Sequence, residues 1–219
     1  FDFLKDYFFM TLFTVIRHGE TEWNLIGRQQ GQLDSSLTSR GEVQAEMAAL
    51  ALKEHHYDVF FSSDTGRAMQ TAWIISSISG ISPIIPEAGL REQHMGILQG
   101  LTLKQFRNTY PDAYTRFINN DPEYNYEIGE SRRERYDRNI HTLKEIATEY
   151  NDSNVLIVGH GGLLDSIIRY IFGMPLNEKR TFSLYNGGIH RFECNKGTWR
   201  LLSWGDISHL MGTGSLDDE

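Results

Sequence analysis

The chain is poor in several residue types, and each scarcity excludes something. One of its 219 residues is cysteine, Cys194, so no intrachain disulfide can form, nothing points to an oxidising compartment, and a cytoplasmic location is expected. Basic residues are outnumbered, 21 Lys and Arg against 29 Asp and Glu, for a formal net charge of −8. No Lys/Arg-rich run stands out to track a nucleic-acid backbone or an anionic membrane, so neither is expected as a partner. Long apolar runs are missing as well. The opening FDFLKDYFFMTLF is broken by Asp2, Lys5 and Asp6 and falls short of the roughly 18 residues that a membrane span requires. It also lacks the basic n-region and small-residue cleavage site of a secretory signal. The eight histidines show no zinc-like spacing and the carboxylates no calcium-loop pattern, so neither a metal nor a cofactor is expected. GHGG at 159–162 lacks the lysine and Ser/Thr of a nucleotide-binding P-loop.

What remains is an ordinary globular composition, 40% hydrophobic and 23% charged, long enough for a sizeable core. A single domain is expected over residues 10–208, with 1–9 as an N-terminal extension before Met10 and 209–219 as a C-terminal tail. Short apolar runs at 12–16, 59–61, 84–86 and 155–158 read as strands. The last, VLIV, has the continuous apolar character of a strand buried on both faces. Segments 189–194 and 199–204, separated by Asn195, Lys196, Gly197 and Thr198, read as a closing hairpin. Helices are expected at 40–54, where Ser39 and Glu42 suggest a capping box, and from a Ser63 or Asp64 cap to about 77. Two more are expected: one along the stripe Tyr136, Ile140, Leu143, Ala147 and Tyr150, the other at 163–172, ending at Gly173. Strands alternating with helices predict an α/β fold: a mostly parallel central sheet with helices on both faces, the hairpin closing one side. Residues 101–130 show weaker periodicity. They are expected to form a cap insertion, carrying Phe106, Arg107, Tyr110, Tyr114, Arg116 and Phe117, that selects the leaving part of a substrate.

Chemistry-bearing residues gather where these strands end. The first ends in Arg17 and His18, the second leads through Ser62 and Ser63 to Arg67, the third to Arg91 and Glu92, and the VLIV strand to Gly159 and His160. Ligands bind at the carboxyl ends of strands in open α/β sheets, so two arginines, two histidines and a glutamate have a route to one point. Phosphoryl transfer through a histidine needs such a set. Guanidiniums hold and stabilise the nonbridging oxygens, a neutral imidazole is the nucleophile, and a carboxyl group protonates the leaving alcohol. Gly19 would leave room for backbone to approach the phosphate. Alone, each residue has an ordinary structural reading; their joint occurrence in this order favours chemistry. Glu20, Glu22, Glu42 and Glu46 are read as solvated charges and Trp23 as a packing residue.

The segments RHGETEWN at 17–24, GRQQGQLDSSLTSRG at 27–41, SSDTGRAMQTA at 62–72, LREQHMGILQG at 90–100 and VGHGG at 158–162 together resemble the histidine phosphatase superfamily, the family of cofactor-dependent phosphoglycerate mutases and related phosphatases. The resemblance spans roughly residues 12–204. It implies that His18 is the histidine that becomes phosphorylated, with Arg17, Arg67 and His160 forming the phosphate pocket and Glu92 the proton donor. It further implies substrate contacts from Asn24, Gln30, Gly31, Gly161 and Gly162. No Asp follows His160, which argues against the acid-phosphatase branch.

Two departures bear on the reaction. The family's mutases carry a tyrosine where this chain has Met95 and a substrate-binding lysine where it has Leu103; Arg132-Arg133 follows Gly129-Glu130-Ser131, which resembles the GES segment of phosphatase-type members. The resemblance therefore implies a metal-independent phosphomonoesterase acting on a small phosphorylated metabolite through a phosphohistidine. The alternatives are a cofactor-dependent phosphoglycerate mutase and a non-catalytic phosphate-ester binding protein.

Overall fold

A computed structural model describes residues 10–212. The expected extension at 1–9 and most of the expected tail lie outside the described residues. Within them, the apolar runs become strands β1 (Met10–Arg17), β2 (Val59–Ser62), β3 (Ile84–Pro86), β4 (Asn154–Gly159), β5 (Ile189–Asn195) and β6 (Thr198–Asp206) in one sheet of order β3-β2-β4-β1-β5-β6. The first four run parallel, β5 adds antiparallel to β1, and β6 adds antiparallel to β5. The helices are α1 (Glu22–Leu25), α2 (Ser39–Leu52), α3 (Gly66–Ser79), α4 (Leu103–Thr109), α5 (Pro111–Ile118), α6 (Arg132–Glu149) and α7 (Gly161–Phe172).

The period-2 geometry of a strand sends the apolar side chains to two separate cores. Phe13, Val15, Val155 and Ile157 pack with Ile140 and Leu143 of α6 and Leu163, Leu164 and Ile167 of α7. Ile16, Leu156 and Val158 face the other way, onto Ala48, Ala49 and Leu52 of α2 and Ala68, Ala72 and Ile75 of α3. All of VLIV is fully buried, each side chain contributing about 1.5–3 kcal/mol. The hairpin turns at Lys196 and Gly197, both at positive φ, as a two-residue I′-type turn requires. Past the last strand, Leu210 is buried and His209 Nε2 lies 2.9 Å from the Gly187 carbonyl.

Three local expectations are corrected. The N-cap of α2 is Thr38, which accepts from the Gly41 amide, rather than Ser39; Thr38 also donates to the buried carboxylate of Glu20 at 2.8 Å. Glu20 is therefore no solvated charge: it is 1% exposed and also paired with Arg40. The N-cap of α3 is Thr65, without a side-chain cap bond, because Ser63 and Asp64 are engaged elsewhere: Ser63 with His160, Asp64 with Arg91. Residues 101–130 contain the short helices α4 and α5. Thr102 and Gln105 form a capping box and Pro111 starts α5, and Phe106, Ala113, Tyr124 and Tyr126 build a small core with Leu98.

Candidate active site

The parallel register builds the centre. Arg17 pairs with Gly159 across β1 and β4, and Ser62 pairs with Val158 across β2 and β4. The chain leaves all three strands at one level. The next residues, His18 and His160, meet with ring centroids 5.2 Å apart. His18 is further fixed by its amide to the Gly159 carbonyl at 3.0 Å and its carbonyl to Asn186 Nδ2 at 3.0 Å.

Gly19 has a packing requirement that the sequence did not reveal. A Cβ there would lie 2.3 Å from the Gly41 carbonyl oxygen, so the glycine admits the start of α2 against the strand end.

Hydrogen bonds select the tautomers. The His18 Nδ1–H donates to the Gly19 carbonyl at 2.8 Å, which leaves Nε2 as the lone-pair nitrogen; it accepts from Arg67 Nε at 3.3 Å. His160 accepts from Arg67 Nη2 at Nδ1 (3.2 Å) and donates from Nε2 to Ser63 Oγ (2.8 Å). Burial, then the charges of Arg67 and Arg17, hold the His18 imidazole well below its usual pKa; burial and Arg67 do the same for His160. Both rings are neutral in this setting.

Arg67 is locked in place. Its Nη1 donates to the Leu33 carbonyl at 2.8 Å and to Asp34 Oδ1 at 3.2 Å, and its Nη2 to the Gly31 carbonyl at 2.8 Å. The Asp34 carboxylate also accepts from the Arg67 amide at 3.1 Å through each oxygen, acting as the missing cap of α3. A Cβ at Gly66 would lie 2.1 Å from Asp34 Oδ2, so that position must be glycine for the carboxylate to fit. Arg17 reaches from the end of β1 and donates to the Leu184 carbonyl.

Glu92 approaches from the loop after β3. Its Oε2 accepts from the Gly162 amide at 2.8 Å and its Oε1 from the Gln93 amide at 2.7 Å. Arg138 of α6 fixes that loop, donating to the carbonyls of Gly89 (2.9 Å), Arg91 (3.0 Å) and Glu92 (3.3 Å) while paired with Glu130 at 2.7 Å. Glu130, the middle residue of the GES segment, thus works by holding the arginine that shapes the Glu92 loop, and Ser131 caps α6.

Arg17, His18, Asn24, Gln30, Gly31, Arg67 and Glu92 line a cavity of about 110 Å³. Gln30 is itself held by Thr21 (2.8 Å) and Ser35 (3.1 Å), Asn24 Oδ1 closes the turn onto the Thr21 amide at 3.2 Å, and Gly31 presents its carbonyl to Arg67. A second cavity of about 720 Å³ shares Arg17, Glu92 and Met95 with the first and is further lined by Gly161 and Gly162. Residues 101–130 contribute Leu103, Phe117, Ile118, Asn120 and Tyr126 to it. Tyr110, Tyr114 and Arg116 do not line it: Arg116 pairs with Asp121 and lies over Tyr124, and Tyr114 packs on Phe106 and Phe117. Among the described residues no group of three or more His, Cys, Asp or Glu is placed to hold a metal ion, and no helix is long and apolar enough to cross a membrane.

Sequence reasoning missed Asp34, Ser63, Thr65 and Arg138 as supporting residues, and Arg135, which lines the larger cavity. The available signal was on α6, where Arg135, Asn139 and Thr142 recur at helical spacing and are buried beside Ile146. Polar side chains on a buried face need partners and mark a built site.

Comparison with known proteins places this geometry. Residues 13–207 match the model of the histidine phosphatase superfamily (branch 1). The chain is 35% identical over 205 residues to phosphoglycerate mutase-like protein 4 of Arabidopsis thaliana, covering 92% of this chain and 88% of that protein. It is also 35% identical over 211 residues to a metal-independent phosphoserine phosphatase of Arabidopsis thaliana, covering 94% and 86%. The solved structure of Bacillus stearothermophilus YhfR superposes with a TM-score of 0.85 at 30% identity, covering 91% of this chain and 99% of that one.

Proposed function

The chain belongs to the histidine phosphatase superfamily, and from that premise we propose that it is a metal-independent phosphomonoesterase working on a small phosphorylated metabolite by two in-line transfers. In the first, the His18 Nε2 lone pair attacks phosphorus. The bond to the ester oxygen breaks, and the Glu92 carboxyl gives that oxygen its proton, so the alcohol leaves neutral. In the second, water attacks the phosphohistidine; Glu92 takes the water's proton and the electron pair of the P–N bond returns to His18. Arg17 and Arg67 carry the charge that spreads over the nonbridging oxygens in both steps, with His160 beside them.

One observation carries the reading: a neutral histidine, its tautomer set by the Gly19 carbonyl, shares a small basic cavity with a carboxylate that also faces the larger one. The phosphoryl group fits the first space and the departing alcohol the second, with the acid at the boundary. The family relatives carry both mutase and phosphatase names. Met95 and Leu103, which replace the tyrosine and lysine of mutases, line the larger cavity and favour hydrolysis.

The test is phosphoenzyme trapping with a 32P-labelled ester in EDTA. The wild type forms an acid-labile, alkali-stable adduct and releases inorganic phosphate, and His18→Ala does neither. Labelling that persists in His18→Ala rules His18 out as nucleophile. Incubation with 3-phosphoglycerate and a trace of 2,3-bisphosphoglycerate distinguishes the mutase: rapid 2-phosphoglycerate with little free phosphate refutes hydrolysis as the main reaction.

A further inference from the structure

The larger cavity holds more cationic charge than its carboxylates balance. Arg132 and Arg135 of α6 and Arg169 of α7 all line it, and Asp165 lies among them. Asp165 takes Arg135 Nη2 on one oxygen and Arg169 Nε on the other, both at 2.8 Å. The other Arg169 donors go to the carbonyls of Pro175 and Glu178. Arg132 donates to the Leu176 carbonyl at 2.7 Å and to Asn120 Oδ1 at 3.2 Å. Both acceptors are neutral, and among the described residues no carboxylate forms an ion pair with Arg132. Three guanidiniums thus share one carboxylate, in a chain whose net charge is −8.

Arg135 is the most exacting member. Its side chain is 6% exposed, yet its buried Nε has no hydrogen-bond partner. An unsatisfied donor on a buried cation is costly, and an anion at the cavity wall would supply acceptor and countercharge together. The position also suits a substrate. The point where a Cβ at Gly162 would stand is 2.0 Å from Glu92 Oε1 and 2.9 Å from Arg135 Nη1, so this guanidinium borders the group that serves the leaving oxygen.

Resting on the phosphatase reading of the adjoining pocket, we propose that Arg132 and Arg135 form a specificity subsite for a second anionic group on the leaving part of the substrate. The substrate class is then small phosphomonoesters that carry a carboxylate or a second phosphate beyond the ester oxygen. Planar guanidinium forks match both anions.

The experiment measures kcat/KM for two pairs of esters, 3-phosphoglycerate with glycerol 3-phosphate, and 1,3-propanediol bisphosphate with 3-hydroxypropyl phosphate. The wild type should prefer the doubly anionic member of at least one pair by about tenfold or more, and the preferred pair tells carboxylate from phosphate. Arg132→Gln should bring that ratio to near unity, Arg132→Lys should restore part of it, and Arg135→Gln should lower it as well. Arg132 lies nearer the surface than Arg135, so its two variants decide the matter if Arg135→Gln does not fold. A wild-type ratio near unity in both pairs, or a preference that survives Arg132→Gln, overturns the subsite while leaving the phosphatase intact. If the wild type hydrolyses none of the four, nor p-nitrophenyl phosphate, and traps no phosphoenzyme, the phosphatase reading fails and the subsite falls with it.

Discussion

Replacing Gly162 by alanine should separate the work of Glu92 from that of the phosphate pocket. The added Cβ would sit 2.0 Å from Glu92 Oε1 and 2.9 Å from its carboxyl carbon, against an ordinary contact of 3.4 Å or more. The carboxylate must therefore retreat by roughly 1 Å or more, breaking its 2.8 Å bond to the 162 amide. It can do so without unfolding the chain, because it faces the larger cavity; the other group crowded by that Cβ is Arg135 Nη1, at 2.9 Å. A misplacement of about 1 Å costs on the order of 10²-fold in rate, within the roughly 10²–10⁴-fold that a positioned acid supplies. That loss should appear only where the leaving oxygen needs a proton. We expect kcat for an alkyl ester such as glycerol 3-phosphate to fall about 100-fold, and kcat for p-nitrophenyl phosphate, whose phenolate leaves unaided, to fall less than about fivefold. Glu92→Gln should show the same dependence on leaving group, and thermal melting confirms that both variants remain folded. Equal losses on both esters would mean that the methyl group disturbs the phosphate pocket. No loss on either would remove Glu92 as the acid.

Two further perturbations follow from the same geometry. Burial, chiefly, holds His18, His160 and His190 below their ordinary pKa, His190 down to about 3. For such a group the unfolded chain takes the proton first, so stability is whole above about pH 6.5 and is lost as pH falls toward the folded pKa. His190 alone should cost about 2 kcal/mol by pH 5, before the carboxylates titrate, and urea unfolding that gives equal stability at pH 7 and pH 5 would contradict this. Asp34→Asn keeps an acceptor but drops the charge that anchors Arg67 and caps α3. It should lower stability by about 1 kcal/mol and weaken inhibition by inorganic phosphate several-fold, and an unchanged inhibition constant would show that Arg67 needs no such anchor.

What could be read from the chain was what local chemistry dictates. VLIV predicts a strand buried on both faces because both of its faces are apolar and it is short, and Asn195, Lys196, Gly197 and Thr198 between two strand-like segments predict a closing hairpin. The strand ends carried the main candidate site residues, since a parallel sheet must bring those ends to one edge. The misses share a different cause. Thr38 displaces Ser39 as cap because Glu20, eighteen residues earlier, is buried against it. Asp34 caps α3 from a separate loop, and Ser63 is drawn off by His160 across the sheet. Each depends on which residues meet through the fold, and spacing along the chain is silent about that. Tyr110, Tyr114 and Arg116 had the right chemistry for a substrate wall, but α4 and α5 use their aromatic faces to build a core of their own.

The electrostatics of the site also explain how an acidic chain can hold a phosphate ester. Arg17 donates to the Leu184 carbonyl, and Arg67 donates to the carbonyls of Gly31 and Leu33 and to the Asp34 carboxylate at the helix start. Asp34 and Glu92 balance part of the Arg67 charge, while the Arg17 and Arg67 guanidiniums both line the smaller cavity. Burial, and then the charges of Arg67 and Arg17, lower the pKa of His18 and His160. Under the proposed mechanism one arrangement does two tasks: it would offer a phosphoryl group its counterions, and it disfavours protonation of the neighbouring imidazole. A nucleophile held by a carboxylate instead would be more readily protonated and would repel its substrate. Under the proposed mechanism, the guanidiniums that would bind the phosphoryl group are the same ones that disfavour protonation of the His18 imidazole.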